Sequence, residues 1–235
     1  ESCGRQCLLC LHYQMKLLRM RYHHGKMVRC SISFPTIGNL ALLLLKLFHL
    51  RKTADRLLDT LQLLHQLGVT VFIFNYRGYG ISEGRASEAG TYSDLAGAMN
   101  LLNERGWPAE RIILFGRSLG AAVSLEGSLQ KTPAGLIMEA PFTSIEAMGR
   151  HHYPLLNSLL GWLISAKYNN LAKIADLEAP LLIIHGKNDS ICPPSMAEEL
   201  YARAPQEKQL LWIPEAGHND GFVVGGERRP LRLLH

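Results

Sequence analysis

Residues 116–120 read Gly-Arg-Ser-Leu-Gly, a serine framed by two glycines. The apolar run 111–115 (RIILF) precedes them, and the small residues Ala121, Ala122 and Ser124 follow. A serine set on a tight strand-to-helix turn needs tiny neighbours, because strand and helix approach each other closely there. Such a turn presents Oγ for attack on a carbonyl carbon. The helix N-terminus beneath it offers backbone amides and a positive dipole end to the oxyanion that develops. The Leu119 amide is the first candidate donor. The competing reading of Ser118 is a plain helix cap.

A nucleophilic serine needs a base, and the base needs a carboxylate to orient it. Where the serine sits on such a turn, the acid and then the histidine follow in the chain, each on a loop after a strand. Asp189 follows the apolar run 181–184 in the stretch HGKND over 185–189. His218 follows the run 209–213 (QLLWI) in the stretch EAGH over 215–218. Ser118, Asp189 and His218 are therefore the candidate catalytic residues. His185 is a rival histidine that reads as structural, because it precedes its loop. Asp176 and Asp220 are less well placed rival acids.

The elements that must position these residues alternate. Residues 69–76 (VTVFIFNY) form a continuous apolar, β-branched run, as in a strand buried on both faces of a parallel sheet. A helix follows over about 91–105, with Leu95, Ala98, Met99 and Leu102 on one face. Then come a strand at 111–115, a helix at 119–130 and a strand at 135–139. Strands at 181–185 and 209–213 flank a helix at 194–204. This rhythm predicts a three-layer α/β/α sandwich with a mainly parallel sheet, one domain over 1–235. Residues 141–178 break it, with Tyr153, Trp162, Tyr168 and an amphipathic pattern over 155–168. An insertion there would sit above the strand ends as a small lid; the competing reading is a sheet-covering helix with a long approach. Residues 1–55 are atypical. They should hold the opening strands, yet 1–20 lack alternation, and Leu40–Leu50 reads as a buried strand or helix.

Composition narrows the classes. The chain has 47% hydrophobic and 19% charged residues, ordinary for a globular protein. Its net charge of +5 comes from scattered basic residues without a nucleic-acid motif, so no nucleic-acid partner is expected. Four of the five cysteines precede residue 31, and an odd count does not read as a disulfide framework. Cys3, Cys7 and Cys10 have a spacing that suits an iron–sulfur cluster, but nothing else in the chain supports one. No apolar run reaches the ~20 residues of a membrane span, and residues 1–26 lack the charge order of a signal peptide. The cytoplasm is the expected compartment. The glycines at 78, 80 and 84 follow a strand but open no helix, which argues against a dinucleotide turn. They shape a loop that carries Arg77, Tyr79 and Ser82. The pairs His23–His24 and His151–His152 suit solvent better than a metal. Neither metal nor cofactor is expected.

The stretches 74–84 (FNYRGYGISEG), 116–120 (GRSLG), 185–189 (HGKND) and 216–219 (AGHN), in that order, resemble the α/β-hydrolase superfamily. The nearest branch is that of alpha/beta-hydrolase domain and serine-aminopeptidase-like proteins, which includes carboxylesterases and is related to protein depalmitoylases. The resemblance spans about residues 57–226. It implies a serine carboxylesterase-like hydrolase with Ser118 as nucleophile, Asp189 as acid and His218 as base, working through an acyl-enzyme intermediate. Substrates would be small-molecule or lipid-like esters or thioesters, with Arg117, Tyr79 and Trp162 as pocket candidates. One departure stands out. The family usually carries a His-Gly-Asn-type loop that donates an oxyanion amide, and here residues 48–53 read FHLRKT. His49 and Leu50 are the candidate donors beside Leu119. The alternative expectation is a hydrolase-fold binding protein with little activity, because a glycine-free loop holds its amide away from the carbonyl.

Overall fold

The runs rich in β-branched and large apolar residues become the strands of a parallel sheet. The computed structural model describes residues 16–23, 26–33, 41–45, 70–79, 82–161, 164–205 and 207–219. Strands β1 (Lys16–His23) and β2 (Lys26–Ser33) pair antiparallel with register shifts after Leu18 and Arg21. Strands β3 (Ala41–Leu45), β4 (Thr70–Ile73), β5 (Ile112–Arg117), β6 (Gly135–Glu139), β7 (Leu181–Gly186) and β8 (Lys208–Ile213) form a second sheet. Its order is β4-β3-β5-β6-β7-β8, and every pairing in it is parallel. The Leu40–Leu50 run thus supplies a strand between β4 and β5.

Helices α1 (Glu88–Glu104), α2 (Leu119–Gln130), α5 (Asn170–Lys173) and α6 (Pro194–Arg203) follow the strands. Short helices α3 (Ile145–His152) and α4 (Pro154–Leu160) lie in the insertion. Leu95, Met99, Ile112, Leu114, Val123, Leu125, Leu136 and Ile183 are almost fully buried where helices meet sheet. Ile113, Phe115, Ile137 and Ile184, at alternate strand positions, are equally shut from water. A sheet buried on both faces is the middle layer of a three-layer fold. This is the α/β/α architecture that the alternation predicts. Among the described residues no helix is long and apolar enough to cross a membrane.

Three expectations are corrected. β4 stops at Ile73 rather than Tyr76. Phe74 and Tyr76 leave the ladder but stay buried, their rings edge to face at 5.3 Å. α1 starts at Glu88 rather than Thr91, because Ser87 caps it by accepting from the Gly90 amide at 3.1 Å. The helix expected over 155–168 ends at Leu160. Gly161 follows, and the amides of Lys167 and Tyr168 donate to the Glu88 carboxylate instead of to a helix. Tyr168 is drawn into the left-handed region at φ 39° while its hydroxyl shares a hydrogen bond with Thr91.

Candidate active site

Ser118 lies between the end of β5 and the start of α2 with φ 53° and ψ −117°, in a backbone region that side chains avoid. Its amide donates to the Glu139 carbonyl of β6 at 2.9 Å, which fixes the turn. A Cβ at Gly116 would collide with the Gly120 carbonyl, so the crossing of strand and helix requires glycine there. The Ser118 side chain makes no capping bond. Its Oγ lies 3.2 Å from His218 Nε2, which removes the plain-cap reading.

The candidate acid and base come from adjacent strand ends. β5, β7 and β8 run parallel, so their carboxyl ends, followed by Ser118, Asp189 and His218, open on one edge of the sheet. The two loops are also tied together: Lys187 donates to the Ile213 carbonyl and Asn188 to that of Ala216, each at 3.0 Å. Asp189 Oδ2 lies 2.8 Å from His218 Nδ1, while Oδ1 accepts from the Cys192 and Ile191 amides at 2.8 and 2.9 Å. Burial alone would raise the Asp189 carboxyl. The hydrogen bond and charge of His218, joined by these amides, hold it below the usual carboxylate range instead. An ionised Asp189 can only accept, so Nδ1 carries the proton and the Nε2 lone pair faces Ser118.

His185 is buried in β7, its Nε2 donating to the Cys192 carbonyl at 2.9 Å. Burial lowers its pKa, so it is neutral and pins the acid loop, in keeping with a structural histidine. Asp176 is exposed on a 3₁₀ turn. His49, Leu50, Trp162 and Asp220 lie outside the described residues. Leu119 is the first residue of α2, half-buried beside Ser118. Tyr79 stacks edge to face on Tyr76, 6.5 Å between centroids. Arg77 grips the fully buried Asp94 through two side-chain bonds, and Ser82 Oγ donates to the Asn75 carbonyl; both order the glycine loop. His151 and His152 are exposed on α3.

Arg117 leads into the Ser118 turn. It is buried, and its guanidinium turns to the His218 loop, donating from Nη2 to the His218 carbonyl at 2.8 Å and to Asn219 Oδ1. Cys192 is a feature that sequence reasoning did not single out. Its buried thiol sits beside Ser118, and donor atoms of Asp189, Cys192 and His218 all lie within 4.8 Å of one another. That set could hold a soft cation only at some cost. Burial, chiefly, and the Asp189 charge push the thiol up to about 12, and Asp189 and His218 already bond each other.

The comparisons agree with this architecture. The family model described as serine aminopeptidase, S33, matches residues 47–173 and 168–220. An uncharacterized protein of Mycobacterium tuberculosis H37Rv is 40% identical over 164 residues, 69% of this chain and 58% of its own length. An alpha/beta hydrolase domain-containing protein of Caenorhabditis elegans is 34% identical over 155 residues, 66% of this chain and 45% of its own. The chain thus spans 58% or less of these two relatives. An esterase of Pyrococcus furiosus superposes with TM-score 0.74 at 19% identity, covering 95% of this chain and 91% of its own. The esterase domain of a Rhodothermus marinus protein superposes with TM-score 0.68 at 20% identity, covering 92% and 96%. The fold is that of the α/β hydrolases, and the chain belongs to the serine aminopeptidase S33 hydrolase family.

Proposed function

We propose that this chain is a serine carboxylesterase-like hydrolase of carboxylic esters or thioesters, with Ser118 as nucleophile, His218 as base and Asp189 as its orienting acid. The observation that carries the reading is the relay itself: 3.2 Å from Ser118 Oγ to His218 Nε2 and 2.8 Å from His218 Nδ1 to Asp189 Oδ2. Oγ attacks the acyl carbon as its proton passes to Nε2. The tetrahedral intermediate collapses, the C–O or C–S bond breaks, and the leaving group takes that proton from Nε2. Water, activated by the same nitrogen, then releases the acid from the acyl-enzyme. The Leu119 amide is one oxyanion donor, and an amide at His49 or Leu50 is the second. The mechanism needs only water.

Apolar acyl groups are the favoured substrates. Tyr153, Leu155, Leu156, Ile164 and Ile191 are the exposed large hydrophobics among the described residues. Four lie in the insertion, which we propose as a lid over 141–178 on a single domain. The fifth lies two residues after Asp189, and His152 Nε2 donates to its carbonyl at 2.7 Å. The esterases with the same fold support an ester as the test substrate. Small-molecule or lipid-like esters fit this face, and nothing in the charge pattern calls for nucleic acid.

The test pairs p-nitrophenyl esters of increasing acyl length with a fluorophosphonate label. Ser118→Ala should cut hydrolysis by about 10⁶-fold and abolish labelling. Turnover that survives Ser118→Ala would sink the mechanism. Folded wild-type protein that takes no label would favour the second reading, a binding protein with an ineffective oxyanion loop, for which the glycine-free FHLRKT stretch is the specific observation.

A further inference from the structure

We propose that Arg117 is a positioning residue that sets the base against the nucleophile. It is the last residue of β5, next to Ser118 in the chain, and only 8% exposed. Ser118 is held by its own backbone, through the bond to the Glu139 carbonyl and the fixed positive φ. His218 stands on an irregular loop, 100 residues further along the chain. Upstream of it, Ala216 donates to the Ile213 carbonyl and accepts from Asn188. At His218 itself the backbone carbonyl is taken by Arg117 Nη2 at 2.8 Å, and the same nitrogen donates to Asn219 Oδ1 one residue on. The nucleophile and its base are thereby referred to two adjacent residues at the end of one strand.

A guanidinium suits this task and is costly for any lesser one. Its planar fork gives charge-assisted bonds of fixed direction to two acceptors, which a lysine ammonium does not reproduce. Both named acceptors are neutral oxygens, so the contact is directional rather than a simple ion pair. Arg117 Nε is buried without a hydrogen-bond partner among the described residues, so the head is aimed at the loop instead of at full satisfaction. Glu139, the register partner of Arg117 on β6, is also buried and sets a carboxylate on the neighbouring strand. Placing a charged head here carries a desolvation penalty that an apolar side chain would avoid.

The kinetic consequence rests on the hydrolase reading; the contact itself does not, so two readouts are used. The first is the downfield Nδ1 proton of His218, identified in the full chain by its loss in His218→Gln. It should be sharp in wild type, lost or broadened in folded Arg117→Met, and only partly restored in Arg117→Lys. The second is turnover: Arg117→Met should lower kcat by about 10²-fold with KM within about threefold of wild type, and Arg117→Lys should recover part of the loss. An unchanged resonance in Arg117→Met, its absence from wild type, or a loss of rate that only tracks the folded fraction would each overturn the proposal. A resonance that responds as expected in a chain that hydrolyses no ester would leave the positioning role standing and remove the hydrolase reading. Should Arg117→Met fail to fold, Asn219→Ala removes one acceptor at an exposed position. A broadened resonance and a several-fold lower kcat then support the proposal, and unchanged values overturn it.

Discussion

Asp189 accepts three hydrogen bonds, from the His218 ring and from two amides, and donates none through its side chain. Its identity as a carboxylate therefore fixes which nitrogen of His218 is protonated. Asp189→Asn keeps the size but can present an NH₂ group to Nδ1, which drives the proton to Nε2 and removes the lone pair that faces Ser118. The expected outcome is a kcat about 10⁴-fold lower near neutral pH, with a smaller loss of thermal stability. Ester turnover and a melting curve on one preparation check it; a loss below tenfold would show that Asp189 does not orient the base. At this scale the sequence was legible wherever a residue's demand is local. A serine between glycines after an apolar run, and an aspartate and a histidine just past two later runs, carry their context beside them. Arg117 does not. Its place in the motif accepts many side chains, and its aim depends on a loop a hundred residues away. The approach of the Cys192 thiol to Ser118 and His218 is equally non-local, and a lone cysteine after a turn has no signature.

At the scale of elements, the site depends on two loops crossing at van der Waals distance. A Cβ at Gly186, the last residue of β7, would run into the Ala216 carbonyl and its carbon, backbone atoms that cannot swing aside. Gly186→Ala is expected to destabilise the fold by about 1–3 kcal/mol and to lower kcat more than the unfolded fraction explains. Urea unfolding alongside kcat separates the two effects. The insertion is anchored from another direction. Glu88, in the first turn of α1, accepts from the Lys167 and Tyr168 amides and from the Tyr92 hydroxyl. Burial would raise its carboxyl, but these bonds hold it below the ordinary range. Glu88→Ala should speed hydrogen exchange at the Lys167 and Tyr168 amides by about tenfold or more, leaving the β5 amides unchanged. Equal protection in both proteins would show that the segment is held by other contacts. The order of strands and helices from residue 70 onward followed from periodicity, because each apolar run is closed by its own polar or glycine-rich turn. The end of α4 did not. The apolar spacing over 155–168 suits a helix, but the helix ends before Gly161, and further on the Lys167 and Tyr168 amides are taken by Glu88, about 80 residues away in the chain.

For the whole molecule, two buried groups make stability depend on acidity, and the signs are fixed by their environments. Burial, above all, lowers the pKa of His185 in the folded chain, outweighing the Cys192 carbonyl and the Asp189 charge that would raise it. Below about pH 6.5, the ordinary histidine value, the unfolded chain binds a proton at this position that the folded chain refuses. Stability is complete above that pH and falls as acidity rises, until the folded His185 itself is protonated. Asp189 is also lowered in the folded state, so its contribution is intact above about pH 4, the ordinary carboxylate value, and is lost only below it. The two windows do not overlap at their upper ends, which lets one substitution separate them. His185→Gln retains an N–H donor for the Cys192 carbonyl and cannot titrate. Its unfolding free energy from urea titrations should stay flat between about pH 6.5 and 5, where that of the wild type falls with a limiting slope of about 1.4 kcal/mol per pH unit. Below about pH 4 both proteins should lose stability together, because the carboxylate is common to them. An equal slope in both between pH 6.5 and 5 would assign the upper window to another histidine. The protonation of His185 would also bring a cation 3.4 Å from Asp189 Oδ2, in competition with His218 for that oxygen. Acid should therefore weaken the relay before it unfolds the sheet, and ester turnover should decline at a higher pH than the melting transition does.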